Sequence, residues 1–338
     1  MNQIRNLIVI GASAGGIKAI VKLIEGFPEA IDAAIMIVLH VSKKSSAKNI
    51  VEIFQRHTSL KCVVAQDGID IEKGKIYLAQ PEHHLLVSGG IMRLNQGPEE
   101  NKYRPSIDVL FRSAAVHFGN KAIGIILTGM LQDGTSGMFA IKSCGGLCIV
   151  QNPLEAEYSD MPRSVLKRIE VDYMADLEEI PIIVQDILSK PLPPKVDIPN
   201  ELKVEADITE KLMSDINQLK KIANRSDFAC PDCGGGLWEV KNDPTHRYRC
   251  HTGHVYTEKL LYELQDMQIE ESIWVSIRML EEKRSMLLLL AGRKNGNPDD
   301  SVISALEKRI ADIGEHINRL KSLVIKLSDN AADDAKSA

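Results

Sequence analysis

Ser13 lies in Gly11-Ala12-Ser13-Ala14-Gly15, between the apolar run NLIVIG and the helical pattern GIKAIVKLIEGF. A serine in G-x-S-x-G on a sharp strand-to-helix turn has the layout of a nucleophile elbow. Two other readings of such a glycine-rich turn fail on spacing. A phosphate loop needs Gly-Lys-Ser/Thr, but Gly16 is followed by Ile17. A dinucleotide fingerprint needs G-x-G-x-x-G, and Gly11, Gly15 and Gly16 are not so spaced. A tight turn with no chemistry is the remaining rival. The Ala14 amide falls at a helix start, where unpaired N–H groups favour an oxyanion. A serine hydroxyl still needs a base. His40 ends the apolar run AAIMIVLH, and Asp133 lies in LTGMLQDGTSG, just past AIGIILTG. Sites in open parallel sheets form at the carboxyl ends of strands. If these strands are neighbours, Ser13, His40 and Asp133 converge on one rim as nucleophile, base and orienting carboxylate. Against this stand a solvated strand-end histidine and an ordinary Asp-Gly turn.

A second cluster lies towards the C-terminus. Cys230-x2-Cys233 and Cys250-x3-His254 are separated by 16 residues. Two pairs of soft ligands on glycine-bearing turns suit tetrahedral zinc in a ribbon. Four protein ligands leave no open position, so the metal is expected to be structural, with Trp238 and Tyr248 as the module's small core. Reduced, metal-free cysteines are the alternative. Cys144 and Cys148 have no further ligand nearby and read as buried small hydrophobes.

These groups need a scaffold. Up to about residue 190, apolar runs rich in Ile and Val (NLIVIG, AAIMIVLH, KCVVAQ, GKIYLAQ, KAIGIILTG, GLCIVQ) alternate with helical patterns such as SIDVLFRSAAVHFG. Continuous apolar runs suit strands buried on both faces. The alternation predicts an α/β fold: a doubly wound, mostly parallel, Rossmann-like three-layer sheet over residues 1–190. A proline-rich linker or strap with a short helix follows over 191–226, then the zinc-ribbon-like module over 227–257. Residues 258–330 read as a helical hairpin or coiled coil, split by GRKNGNPDDS, with Asp300 or Ser301 as a cap. Val302, Leu306, Ile310, Ile313, Ile317, Leu320, Val324 and Leu327 form its heptad-like seam, which also suits a homodimer.

Composition narrows the function. With 338 residues and a net charge of −5, the chain lacks the basic footprint of a nucleic-acid binder. No apolar run approaches the ~20 residues that span a bilayer, and the N-terminus lacks a signal-peptide layout. Six cysteines in a chain this long do not read as a secreted disulfide framework, so a cytoplasmic location is expected.

Six ordered blocks resemble the catalytic domain of the chemotaxis-type protein-glutamate methylesterases, the CheB family, over roughly residues 5–190. They are IGASAGG, VLH, AQPEHHLLV, RPSIDVLFRSAA, LTGMLQDGTSG and VQNPLEAEYSDMPRSV. The resemblance implies a catalytic triad on Ser13, His40 and Asp133, with oxyanion amides from Ala14 and Met130. It implies hydrolysis of glutamyl methyl esters on methyl-accepting chemoreceptors, possible glutamine deamidation, and no cofactor for catalysis. Leu131 departs from the family's usual glycine. The family's chemotaxis enzyme carries a receiver domain ahead of this one, which this chain is expected to lack. Cysteine segments like CPDCGG…RCxxGH follow free-standing members of the group. A non-catalytic chemosensory scaffold retaining the fold is the alternative. His84 is expected to anchor a loop near the cleft, and Arg112 reads as an ordinary surface or helix-end charge, the alternative being that it faces an acidic receptor surface.

Overall fold

The computed structural model describes residues 5–212, 216–292 and 300–337. It divides into two units, Met1–Leu260 and Leu261–Ala338.

The first unit is built on a seven-stranded sheet. Its strands are β1 (Asn6–Ala12), β2 (Ala33–Leu39), β3 (Lys61–Val64), β4 (Lys75–Leu78), β7 (Ala122–Ile126), β8 (Leu147–Gln151) and β9 (Tyr173–Ala175). Their order is β3-β4-β2-β1-β7-β8-β9, and every pairing is parallel. The expected apolar runs form six of these strands. The central strands β1, β2 and β7 are buried on both faces, so alternate residues feed two cores, whereas the edge strand β3 leaves Lys61 exposed. Leu7 and Val9 of β1 enter one, and Ile8, Ile10 and Ala12 enter the other. Full burial of one such side chain contributes ~1.5–3 kcal/mol.

Helices cover both faces. α1 (Gly16–Glu25), α2 (Ala47–Gln55) and α6 (Ile180–Ser189) pack on the second core. α3 (Ile107–Phe118), α4 (Thr135–Ser143) and α5 (Asp160–Arg168) pack on the first. A hairpin of β5 (His84–Ser88) and β6 (Ile91–Asn95) lies between β4 and α3 in the chain.

Beyond the sheet, α7 (Asn200–Lys211) and α8 (Ile216–Ile222) lead into a four-stranded antiparallel sheet. Its strands are β10 (Ala223–Ala229), β11 (Gly236–Val240), β12 (Arg247–Cys250) and β13 (Val255–Thr257). This module joins the α/β part by a buried ion network. Glu100 pairs with Arg112 on α3 and with Arg249, Glu205 on α7 pairs with Arg112, Arg247 and Arg249, and Asp243 pairs with Arg247, every side chain at most 4% exposed. Arg112 is therefore no surface charge. It pairs with Glu100 at 2.9 Å and Glu205 at 3.3 Å, a long-range arrangement that helix position alone does not reveal.

The second unit pairs α9 (Glu258–Gly292) with α10 (Asp300–Ser337). Ile313, Ile317, Leu320 and Val324 of the predicted seam pack with Ile273, Ile277, Leu280 and Leu287 of α9. Most of the glycine-rich separator, residues 293–299, and the side chains of Asp300, Ser301 and Val302 lie outside the described residues. Among the described residues, no helix is long and apolar enough to cross a membrane.

Candidate active site

β1 lies between β2 and β7, so the segments that leave these strands adjoin. Ser13 follows β1, His40 follows β2, and Asp133 lies in the turn after β7. Backbone bonds tie the three segments together beyond the strands. His40 N–H donates to Ala12 O, and Ser13 N–H to Thr128 O, both at 3.0 Å. Two glycines make the rim possible. Gly15 adopts φ +75° at the start of α1. A Cβ on Gly129 would stand 2.1 Å from Met161 Sδ and 2.8 Å from Ser13 Cβ.

His40 and Asp133 are joined directly, Nε2 to Oδ2 at 3.0 Å, with side chains 3% and 1% exposed. Asp133 also sits at the N-terminus of α3. Oδ2 accepts from Ile107 N–H at 2.6 Å, while Oδ1 accepts from Ser106 Oγ at 2.9 Å and Asn101 Nδ2 at 3.0 Å. Burial would raise this carboxyl. His40, Asn101 and the helix-end amide outweigh it and bring Asp133 down to about 2. Burial and the adjacent Asp133 charge push the neighbouring Asp108 well up instead. Donation from Nε2 to Asp133 leaves the Nδ1 lone pair as the basic site. Nδ1 has no hydrogen-bond partner among the described residues.

Ser13 is half-buried on the same rim. Its side chain interacts with the phenol of Tyr103, whose ring stacks on His40 with centroids 3.6 Å apart and planes 5° from parallel. No hydrogen bond joins Ser13 to His40 in this state. Tyr103, Asn101 and the donors at the start of α3 escaped the sequence reading. Ser106-Ile-Asp before an apolar helical run is an N-cap signal that could have revealed those donors. His84 anchors the segment carrying Tyr103. Its Nε2–H donates to Pro98 O at 2.9 Å, and Nδ1 accepts from Ser106 N–H at 3.2 Å. Burial lowers its pKa, consistent with this neutral bonding pattern.

The N–H groups of Ala14 and Met130 make no backbone hydrogen bond among the described residues. Next to Met130, Leu131 is exposed with φ +65°. That backbone explains why glycine suits this place: the left-handed region costs an ordinary residue about 1–2 kcal/mol. Glycine's greater freedom when unfolded costs about 0.5–1 kcal/mol. Leu131→Gly is therefore expected to raise the unfolding free energy by about 0.5 to 1 kcal/mol. Denaturant melts would show it; a loss of stability would mean that the leucine side chain contributes packing that exceeds the strain.

The second cluster also comes together. The ligand atoms of Cys230, Cys233, Cys250 and His254 all lie within 4.8 Å of one another. Cys233 Sγ is 3.8 Å from Cys250 Sγ, and His254 Nδ1 is 3.7 Å from Cys230 Sγ and 3.6 Å from Cys250 Sγ. A tetrahedron with zinc–sulfur bonds of about 2.3 Å and zinc–nitrogen bonds of about 2.0–2.1 Å has edges of about 3.8 and 3.6 Å. The donor set suits zinc, and these three separations match such edges. Cys144 and Cys148 lie apart from it, buried in the sheet's first core.

Comparison with known proteins converges on one family. Residues 8–184 match the CheB methylesterase family model. A Leptospira interrogans protein provisionally named protein-glutamate methylesterase/protein-glutamine glutaminase is 40% identical over 174 residues, covering 51% of this chain and 90% of that protein. The enzyme of that name from Pectobacterium atrosepticum is 36% identical over 178 residues, with 52% of this chain matched to 50% of the relative. The match thus spans only half of that longer relative. The crystal structure of the Thermotoga maritima CheB methylesterase catalytic domain superposes with a TM-score of 0.52 at 29% identity, covering 54% of this chain and 97% of the domain. Residues 185–338 lie outside the family match.

Proposed function

This chain belongs to the CheB methylesterase family, and from that premise we propose that it hydrolyses glutamyl methyl esters on methyl-accepting chemoreceptors, in the cytoplasm, through Ser13, His40 and Asp133. The observation that carries the reading is the buried His40–Asp133 pair beside Ser13 at the carboxyl rim of the sheet.

In this reading His40 Nδ1 takes the Ser13 proton as Oγ attacks the ester carbonyl. Asp133 holds the imidazole by Nε2–H and stabilises the imidazolium. The free amides of Ala14 and Met130 receive the oxyanion. The proton on His40 leaves with methanol, and water activated by the same base releases the glutamate carboxylate. Replacing the methoxy group by an amide gives glutamine deamidation with ammonia as leaving group. Catalysis draws on no cofactor. Cys230, Cys233, Cys250 and His254 would hold zinc as a structural centre, with no open position for substrate.

A methyl-esterified receptor signalling domain supplies the test. The chain should release methanol from it, and a sulfonyl fluoride should label Ser13 alone while stopping release in proportion to labelling. Absence of release, or release that survives complete labelling of Ser13, would favour the non-catalytic scaffold.

A further inference from the structure

The segment between β6 and α3, residues 96–106, faces two ways. One side touches the candidate triad. Asn101 Nδ2 donates to Asp133 and Asp108, each at 3.0 Å. Tyr103 covers the His40 ring and meets Ser13.

The other side is fastened to the cysteine module, each time one residue from a ligand of the four-fold site. Beside His254, Val255 bridges to Glu100, and its carbonyl accepts from Asn101 N–H at 2.8 Å. Beside Cys250, Arg249 Nη1 donates to Glu100 Oε1 at 3.1 Å. Beside Cys233, Asp232 pairs with Lys102 and accepts the Tyr256 hydroxyl at 2.6 Å. That hydroxyl also lies 3.2 Å from Cys230 Sγ. Glu100, Asn101 and Lys102 are thus held from the ligand turns; Asn101 and Tyr103, next to these anchors, touch the triad, as does Ser106 at the segment's far end, whose hydroxyl donates to Asp133.

The segment's own backbone is costly. Asn101 and Lys102 both lie at positive φ, 54° and 66°. Such conformations persist where the surroundings over-determine them. A four-ligand metal site, in turn, orders with its metal. The two cores of the large sheet contain no residue of 223–257.

We propose that Asn101 and Tyr103 are positioning residues of the hydrolase, and that metal held by Cys230, Cys233, Cys250 and His254 keeps them in place, so that turnover depends on a metal that never meets the substrate. The inference rests on the hydrolase reading given above. With the ligand turns loosened, Glu100 loses Arg249 and the Val255 bridge. Asn101 then no longer fixes Asp133, and Tyr103 no longer packs the imidazole between itself and the sheet rim. The sheet itself keeps its cores.

The test uses the full chain loaded with one equivalent of zinc, then treated with a chelator. One readout is independent of activity: hydrogen exchange of peptides over 98–106, against peptides over 6–12 and 33–39. Chelation should speed exchange in 98–106 and leave the strand peptides protected, and re-added zinc should reverse this. The other readout is kinetic. Misplacement of catalytic groups by about 1 Å costs up to about 100-fold, so kcat should fall at least about tenfold on chelation, with KM changed much less. Zinc-loaded Tyr103→Leu should keep its metal and lose kcat to a similar extent, while Tyr103→Phe, which retains the stacked ring, should recover most of it. Unchanged exchange in 98–106 after chelation would overturn the proposal, as would exchange that rises evenly through the strands, or a chain that takes up no zinc. If the loaded chain releases no methanol at all, the hydrolase reading fails, and the exchange result alone still shows whether the metal holds the segment.

Discussion

Asp133→Asn lowers kcat for methanol release by about 10⁴-fold, Ser13→Ala by at least as much, and the double variant by no more than the larger of the two. The size follows from the surroundings of Asp133. Oδ2 faces His40 Nε2 and Ile107 N–H, and Oδ1 faces the Asn101 amide and Asp108 N–H. An asparagine NH₂ on either side meets a donor. Turned towards His40, it forces Nε2 to accept and places the ring proton on Nδ1, the atom that must receive the Ser13 proton. Ser13→Ala removes the attacking atom, and once it is gone the relay has nothing to act on, so the losses do not add. Asp133 is brought down to about 2. A depressed carboxyl contributes stability above its unfolded value of about 3.9, which is lost only as pH falls towards 2. The stability that Asp133's own ionisation contributes should therefore stay constant between about pH 5 and pH 8. Methanol assays with circular dichroism as a fold control would check the losses in kcat. Retention of more than about a tenth of wild-type kcat by Asp133→Asn would remove the relay from the mechanism.

How much of this could be read from the chain depends on the range of the interactions. Strand runs such as NLIVIG and AAIMIVLH declare themselves because burial on both faces demands uninterrupted apolar residues. The placement of Ser13, His40 and Asp133 at one rim of the sheet was legible for a related reason. Each ends or follows such a run, and in an open parallel sheet that end is where sites form. The β5–β6 hairpin carried a local signal that went unused: Gly89-Gly90 between two apolar stretches, both at positive φ, 58° and 90°. β9, three residues long, is too short to have shown a period. The joint between the cysteine module and the site is of another kind. Arg249 meets Glu100 across 149 residues, and Ser136 meets Asp243 across 107. No spacing rule links such pairs. Arg112 read alone is a charge on a helix, and only the folded arrangement supplies the two carboxylates that justify burying it.

Those carboxylates set the largest expected effect on stability. Three arginines, Arg112, Arg247 and Arg249, balance Glu100, Glu205 and Asp243 in the buried junction. Glu205 is held by Nη1 and Nη2 of Arg247, at 2.9 and 3.0 Å, and lies 3.3 Å from Arg112. Glu205→Gln keeps the shape and removes the charge, leaving one buried cation uncompensated. Breaking a buried pair in this way costs about 3–5 kcal/mol, a fall of about 10 °C in melting temperature for a unit of this size. Burial would raise the Glu205 carboxyl, but Arg112 and Arg247 outweigh it and hold the group below the usual carboxylate range. Its contribution is therefore fully present above the unfolded value of about 4.3 and fades as pH falls below it. The gap between wild type and Glu205→Gln should be flat above about pH 6 and narrow below about pH 4. Adding Arg112→Met to Glu205→Gln restores the charge balance, leaves Glu100 with Arg249 and Asp243 with Arg247, and should recover part of the loss, a coupling that calorimetry on the four proteins of the cycle would measure. A single-variant loss below about 1 kcal/mol would mean that water reaches the junction and screens it as it does a surface pair. The module would then be attached to the α/β part by its backbone pairing with Glu100 and Asn101 more than by charge.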